Sequence, residues 1–136
     1  MKRPSVVLAD DDEPVLDVIR RIVKPYFDVL ATAKDGATLC DVVATFNPSV
    51  VVLDVSMPVM TGIQAARQLK NNGYAGKLVF LTVYRDRSLL EDGLAAGASG
   101  YVLKDFADTE LVAAIREALA GGVFLSSGLK FQSKTV

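Results

Sequence analysis

The chain has 136 residues, 51% of them hydrophobic, with 15 basic and 16 acidic side chains. That suffices for one domain with one core, and the charge is too balanced for the basic surface that duplex binding needs, so no direct nucleic-acid binding is expected. There is no histidine and a single cysteine, Cys40, which excludes Ser-His-Asp and Cys-His catalysis, histidine-ligated zinc, histidine phosphotransfer from this chain and any internal disulfide.

The first apolar run is Ser5–Ala9. Asp12 then offers an N-cap and Pro14 falls in the first turn of a helix carrying Leu16, Ile19 and Val23 at i, i+3, i+7. Phe27–Ala31 is the second run, and Asp35 can cap a helix with Leu39, Val43 and Phe46 on one stripe. Cys40 lies on that apolar stripe and reads as a buried hydrophobe. Ser49–Val55 is the third run, and Thr61 can cap a helix with Ile63, Ala66 and Leu69. Lys77–Val83 follows, then a shorter helix marked by Leu90 and Leu94. Gly100–Leu103 is the fifth run, before a helix with Leu111, Ile115 and Leu119 that Gly121 and Gly122 should end.

These runs do not alternate cleanly with polar residues, as expected of parallel strands covered on both faces. They start roughly 22 to 28 residues apart, room for one helix between each pair. The pattern predicts a (βα)5 domain of α/β class, doubly wound into a three-layer sandwich over residues 1–122. Residues 123–136, VFLSSGLKFQSKTV, form a C-terminal extension or the start of a linker, from which Val123, Phe124 and Leu125 can pack back.

Ligand sites in such sheets lie beyond the carboxyl ends of the strands, where strand order reverses. Strand one ends in Asp10 and Asp11, strand three in Asp54, strand four near Thr82 and strand five at Lys104. Three carboxylates at one rim repel, and a divalent cation relieves the repulsion; all-oxygen ligation suits magnesium, which takes one or two protein carboxylates and keeps several waters. A metal held by Asp11 and Asp54 can also grip a phosphoryl group on Asp54, with Lys104 and Thr82 on its other oxygens.

The motifs VVLADD at 6–11, VVVLDVSMPVMTG ending at Gly62, VFLT at 79–82 and GASGYVLKD at 97–105 together resemble a response-regulator receiver domain of two-component signalling, over residues 4 to about 122. The resemblance implies a flavodoxin- and CheY-like five-stranded parallel sheet in the order 2-1-3-4-5. It implies Asp54 as phosphoacceptor. It implies Mg2+ (or Mn2+) held by Asp11, Asp54 and the Ser56 backbone carbonyl, with Asp10 helping through water. Thr82 and Tyr101 match the family's switch pair: phosphorylation draws the threonine to the phosphoryl group and turns the aromatic ring inward. A fixed, half-buried ring is the plainer alternative for Tyr101.

Lys104 is followed by Asp105, where many receivers have proline, so a cis Lys-Pro bond is not available. With GGVFLS at 121–126, this resembles the NarL/LuxR-type subgroup, whose members usually carry a C-terminal DNA-binding domain. Val83 follows the switch threonine, where smaller residues are frequent, and Ser56 and Tyr84 stand where the family tunes dephosphorylation.

The expected function is therefore magnesium-dependent transfer from a sensor histidine kinase to Asp54, which regulates an output, transcription in the subgroup. A phosphorylation-dependent homodimer is expected. The only activities expected of the chain itself are self-phosphorylation and autodephosphorylation. A stand-alone receiver acting by protein contact is the alternative. A haloacid-dehalogenase-type phosphatase also forms an aspartyl phosphate, but that family places its nucleophile in a DxD pattern after the first strand, where this chain has DDD. No apolar run approaches the roughly 18 residues of a membrane span, and MKRPSVVLADDD turns acidic too soon for a signal peptide, so a cytoplasmic location is expected.

Overall fold

The computed structural model describes residues 3–129. Strand and helix alternate: β1 (Ser5–Ala9), α1 (Glu13–Val23), β2 (Asp28–Ala33), α2 (Gly36–Phe46), β3 (Val50–Leu53), α3 (Gly62–Asn71), β4 (Lys77–Thr82), α4 (Arg87–Ala95), β5 (Gly100–Leu103), α5 (Ala107–Leu119) and a short β6 (Phe124–Leu125). All strand pairs are parallel, in the order β2-β1-β3-β4-β5-β6.

The apolar runs follow from the sheet being covered on both faces. Successive side chains of a strand point to opposite faces. Val7, Ala9, Val51, Leu53, Leu78, Phe80, Tyr101 and Leu103 enter one core with residues of α2, α3 and α4. Val6, Leu8, Val50, Val52, Val79, Leu81 and Val102 enter the other with residues of α1 and α5. Each fully buried Leu, Val or Phe contributes about 1.5–3 kcal/mol relative to exposure, so both periods of the strand must be apolar.

Helix ends are set locally. Thr61 and Gln64 form a reciprocal capping box at α3, with bonds of 3.2 and 2.9 Å. Asp35 caps α2 by accepting from the Thr38 N–H at 2.7 Å. Asn47 ends α2 at φ 44°, a left-handed conformation that asparagine tolerates.

Several expectations need correction. The second strand starts at Asp28, not Phe27, and runs to Ala33; the Phe27 N–H still closes the end of α1 on Val23 O at 2.9 Å. The third strand is Val50–Leu53, shorter than Ser49–Val55, and the fourth stops at Thr82, leaving Val83 62% exposed. Phe46 is 46% exposed, because α2 ends on it and Asn47 turns the chain away. Asp12 stands at the N-cap of α1 but its side chain makes no cap bond. Cys40 is half-buried at the edge of its core. The sheet has a sixth strand: Phe124 packs partly against the α1–α5 core, while Val123 and Leu125 stay exposed.

Candidate functional site

Strand order reverses between β1 and β3, and the C-terminal ends of these two strands carry Asp10 and Asp54. Both are buried, at 1% and 6% exposure, while Asp11 is exposed. Carboxylate oxygens of Asp10, Asp11 and Asp54 all lie within 4.8 Å of one another. Lys104, just past β5, places its ammonium 2.7 Å from Asp10 Oδ2 and donates a 2.9 Å hydrogen bond to Asp54 Oδ2.

The sequence arranges this locally. Asp10 Oδ1 accepts from the Asp12 N–H at 2.9 Å. This turn explains the missing side-chain cap: the start of α1 is organised by Asp10, two residues earlier. Beyond Asp54, the Gly62 N–H binds Val55 O at 2.7 Å and folds the loop back on the strand end. A Cβ on Gly62 would stand 1.8 Å from the Asp54 carbonyl oxygen, so only glycine permits this approach. Within the loop the Met60 N–H bonds to Pro58 O at 2.7 Å across Val59, whose φ is 69°. This is a strained three-residue turn with a β-branched residue at its centre.

Burial pushes the Asp10 carboxyl above the ordinary aspartate range, against the pull of Lys104 and the Asp12 N–H. Burial also opposes the Lys104 charge, but hydrogen bonds and attraction from Asp10 and Asp54 outweigh it and hold the ammonium above its usual range. Asp10 Oδ2 is buried and is met by the Lys104 ammonium at 2.7 Å, with no other donor on it among the described residues. Three carboxylates share that one ammonium, and a divalent cation would relieve the repulsion that remains. A convergent set of hard oxygen donors from three carboxylates fits magnesium.

Thr82 is fully buried at the end of β4, and its hydroxyl accepts from the Tyr84 N–H at 3.4 Å. Tyr101 is also fully buried, and its hydroxyl donates to the Tyr84 carbonyl at 3.0 Å. Its ring stands inward, 6.2 Å from that of Phe80. Ser56 is exposed, and its N–H lies 3.4 Å from Asp54 Oδ1. Asp10, Asp11, Asp54 and Lys104 thus meet directly, while Thr82 and Tyr101 meet through the backbone of Tyr84. That backbone link was not read from the sequence, since a main-chain carbonyl leaves no residue-type signal.

An open parallel sheet with an acidic cluster and one ammonium at its switch point is the layout expected of a phosphoacceptor signalling domain. The Response regulator receiver domain family matches residues 6–116, and the chain belongs to that family. It is 31% identical over 123 residues to the transcriptional regulatory protein DegU of Brevibacillus brevis, covering 89% of this chain and 52% of that protein. It is 28% identical over 131 residues to the nitrate/nitrite response regulator protein NarL of Escherichia coli, covering 94% of this chain and 61% of that one. A LuxR-family two-component response regulator from Aurantimonas sp. superposes with a TM-score of 0.89 at 30% identity, over 94% of this chain and 93% of that one. The chain spans little more than half the length of the curated relatives it matches. It is a receiver domain of the NarL/LuxR type. Receiver domains bind magnesium at an acidic cluster, here Asp10, Asp11 and Asp54. Those of this family interact with sensor kinases and commonly dimerise. No helix among the described residues is long and apolar enough to cross a membrane.

Proposed function

We propose that Asp54 accepts a phosphoryl group from the phosphohistidine of a sensor kinase. The observation that carries this reading is the Lys104 ammonium bridging Asp10 and Asp54 beside the exposed carboxylate of Asp11. An Asp54 oxygen attacks phosphorus; the new P–O bond forms as the P–N bond to the donor imidazole breaks, and the imidazole leaves. The histidine belongs to the donor, since this chain has none. Lys104 follows the negative charge from the carboxylate to the phosphoryl oxygens, and the Thr82 hydroxyl turns from the Tyr84 N–H to donate to another. Asp11, Asp54 and the Ser56 carbonyl would hold the magnesium ion, with Asp10 helping through water. When bound, the ion neutralises charge on the transferring group and orients it.

Water later hydrolyses the acyl phosphate, and Tyr84, 40% exposed at the rim, restricts its approach. In the whole protein the output is regulation of transcription, the role named for the relative DegU, through a DNA-binding domain of the kind that the NarL/LuxR-type subgroup usually carries. Phosphorylation promotes a homodimer, in the cytoplasm.

Acetyl phosphate with magnesium tests the chemistry. Intact-mass measurement is expected to show one labile phosphoryl group, absent in Asp54→Asn and absent with a chelator. An unmodified wild-type chain, or an adduct that survives in Asp54→Asn, overturns the reading.

A further inference from the structure

Residues Phe124–Leu129 run back along the β5 edge and are tied to the parts of the molecule that surround Thr82 and Tyr101. The Phe124 N–H bonds to Ser99 O at 3.0 Å and the Ser126 N–H to Tyr101 O at 2.9 Å. Leu129, 5% exposed, sits in the same core as Tyr101 and Leu103. Arg85, from the loop after β4, donates to Gly128 O at 3.2 Å. The Glu110 carboxylate accepts from the Ser126 hydroxyl, from the Ser127 hydroxyl at 2.6 Å and from the Ser127 N–H at 3.2 Å. Gly128 is fitted closely: an added Cβ would lie 2.7 Å from Phe106 and 2.8 Å from Leu103.

These contacts close a ring. Tyr101 holds the Tyr84 carbonyl through its hydroxyl and the Ser126 N–H through its own carbonyl. Arg85, next to Tyr84, reaches the segment a second time. We propose that Phe124–Leu129 is a strap whose docking is coupled to the inward position of Tyr101, so that phosphorylation of Asp54 tightens it. This rests on the phosphoacceptor reading of the site. The strap is docked here with the Tyr101 ring fully buried and its hydroxyl on Tyr84, the residue whose N–H holds the Thr82 hydroxyl that phosphorylation draws away. An outward ring would abandon the Tyr84 carbonyl and open the core in which Leu129 is seated. The strap therefore binds one of two ring positions better, as a coupled element must. Linkage makes the effect mutual: an undocked strap disfavours the phosphorylated form.

Hydrogen exchange of the 136-residue chain, with and without acetyl phosphate and magnesium, reads the strap directly. Protection of the Ser126 and Leu129 amides is expected to rise on phosphorylation by about 5- to 150-fold, the ordinary range of coupling between two sites. Gly128→Ala, which displaces the strap, is expected to lower its protection without phosphoryl donor and to reduce the fraction of chain phosphorylated at a fixed acetyl phosphate concentration. Glu110→Gln, which weakens the clamp without crowding it, is expected to do both to a smaller degree. Intact mass read on the same samples separates the two ideas. No adduct sinks the phosphoacceptor reading; an adduct with strap protection unchanged or lowered overturns the strap alone, as does normal phosphorylation of Gly128→Ala with its strap undocked.

Discussion

Lys104 donates a 2.9 Å hydrogen bond to Asp54 across 50 residues of chain. The contact joins the ends of β3 and β5, and the same ammonium lies 2.7 Å from Asp10 at the end of β1. One side chain thus bridges two buried carboxylates at the place where the sheet divides.

Lys104→Met is expected to cost stability where no divalent ion is present. It leaves Asp10, 1% exposed, without its cation. Removing one partner of a buried pair costs about 3–5 kcal/mol. A loss of about 2 kcal/mol is expected here, because the lysine side chain keeps 19% exposure. Urea unfolding in chelator and then in magnesium checks this. Magnesium should recover more stability in the variant than in the wild type, and equal recovery would contradict it.

Val59→Asn is expected to stabilise the fold by about 0.5–1 kcal/mol, a fraction of the roughly 1–3 kcal/mol that such backbone strain costs. Valine stands there at φ 69° with its side chain 85% exposed, so no packing is lost. Thermal melting measures the gain. A lower melting temperature would show that the turn is not strained by its side chain.

Tyr101 supplies an alkaline signature. Burial pushes its phenol from 10.0 up to about 12, with the charges of Asp86 and Asp54 adding to the effect. A raised phenol favours the folded state while protonated, so this stability is full below pH 10.0 and is lost as the pH rises toward about 12. Absorbance titration of tyrosinate should show a late step that Tyr101→Phe removes. The same variant loses the bond to the Tyr84 carbonyl, at a cost of about 1 kcal/mol at neutral pH. A variant with the wild-type alkaline profile would count against this placement of the ring.

Glu110 gives the opposite sign at the acid end. Burial opposes its charge, but the hydrogen bonds from Ser126 and Ser127 together outweigh this and hold the carboxyl below its ordinary 4.5. A lowered carboxyl stabilises in its ionised form. Its contribution is therefore present above pH 4.5 and fades as the pH falls through its lower folded value. Exchange protection at Ser126 and Ser127 should fall over that window in the wild type and stay flat in Glu110→Gln. Parallel curves for the two proteins would exclude Glu110 as the clamp.

The sandwich was legible because burial on both faces leaves an unbroken apolar run, as Val50–Leu53 shows with every residue buried. β2 was read as starting one residue early and ending two residues short for the complementary reason. It pairs with β1 alone, and its exposure alternates along Asp28–Leu30, so apolar content did not mark its limits. Asp10, Asp11, Asp54 and Lys104 were legible because each ends a strand, and strand ends converge. β6 was not, since two residues carry no period and its bonds run between main-chain atoms. The clamp on Glu110 escaped for a related reason: a surface glutamate in a helix resembles any other until the segment it holds is seen to fold back.

The short β6 also gives the sheet two unlike borders. β2 leaves one side open, whereas Phe124 and Leu125 cover Gly100 and Tyr101 on the other. Peeling the cover away would bare a row of main-chain donors and acceptors on a strand whose residues are otherwise all enclosed. Such a row recruits foreign strands. Conditions that detach these few residues should therefore incline the chain to stick to its own kind, long before the sandwich itself melts.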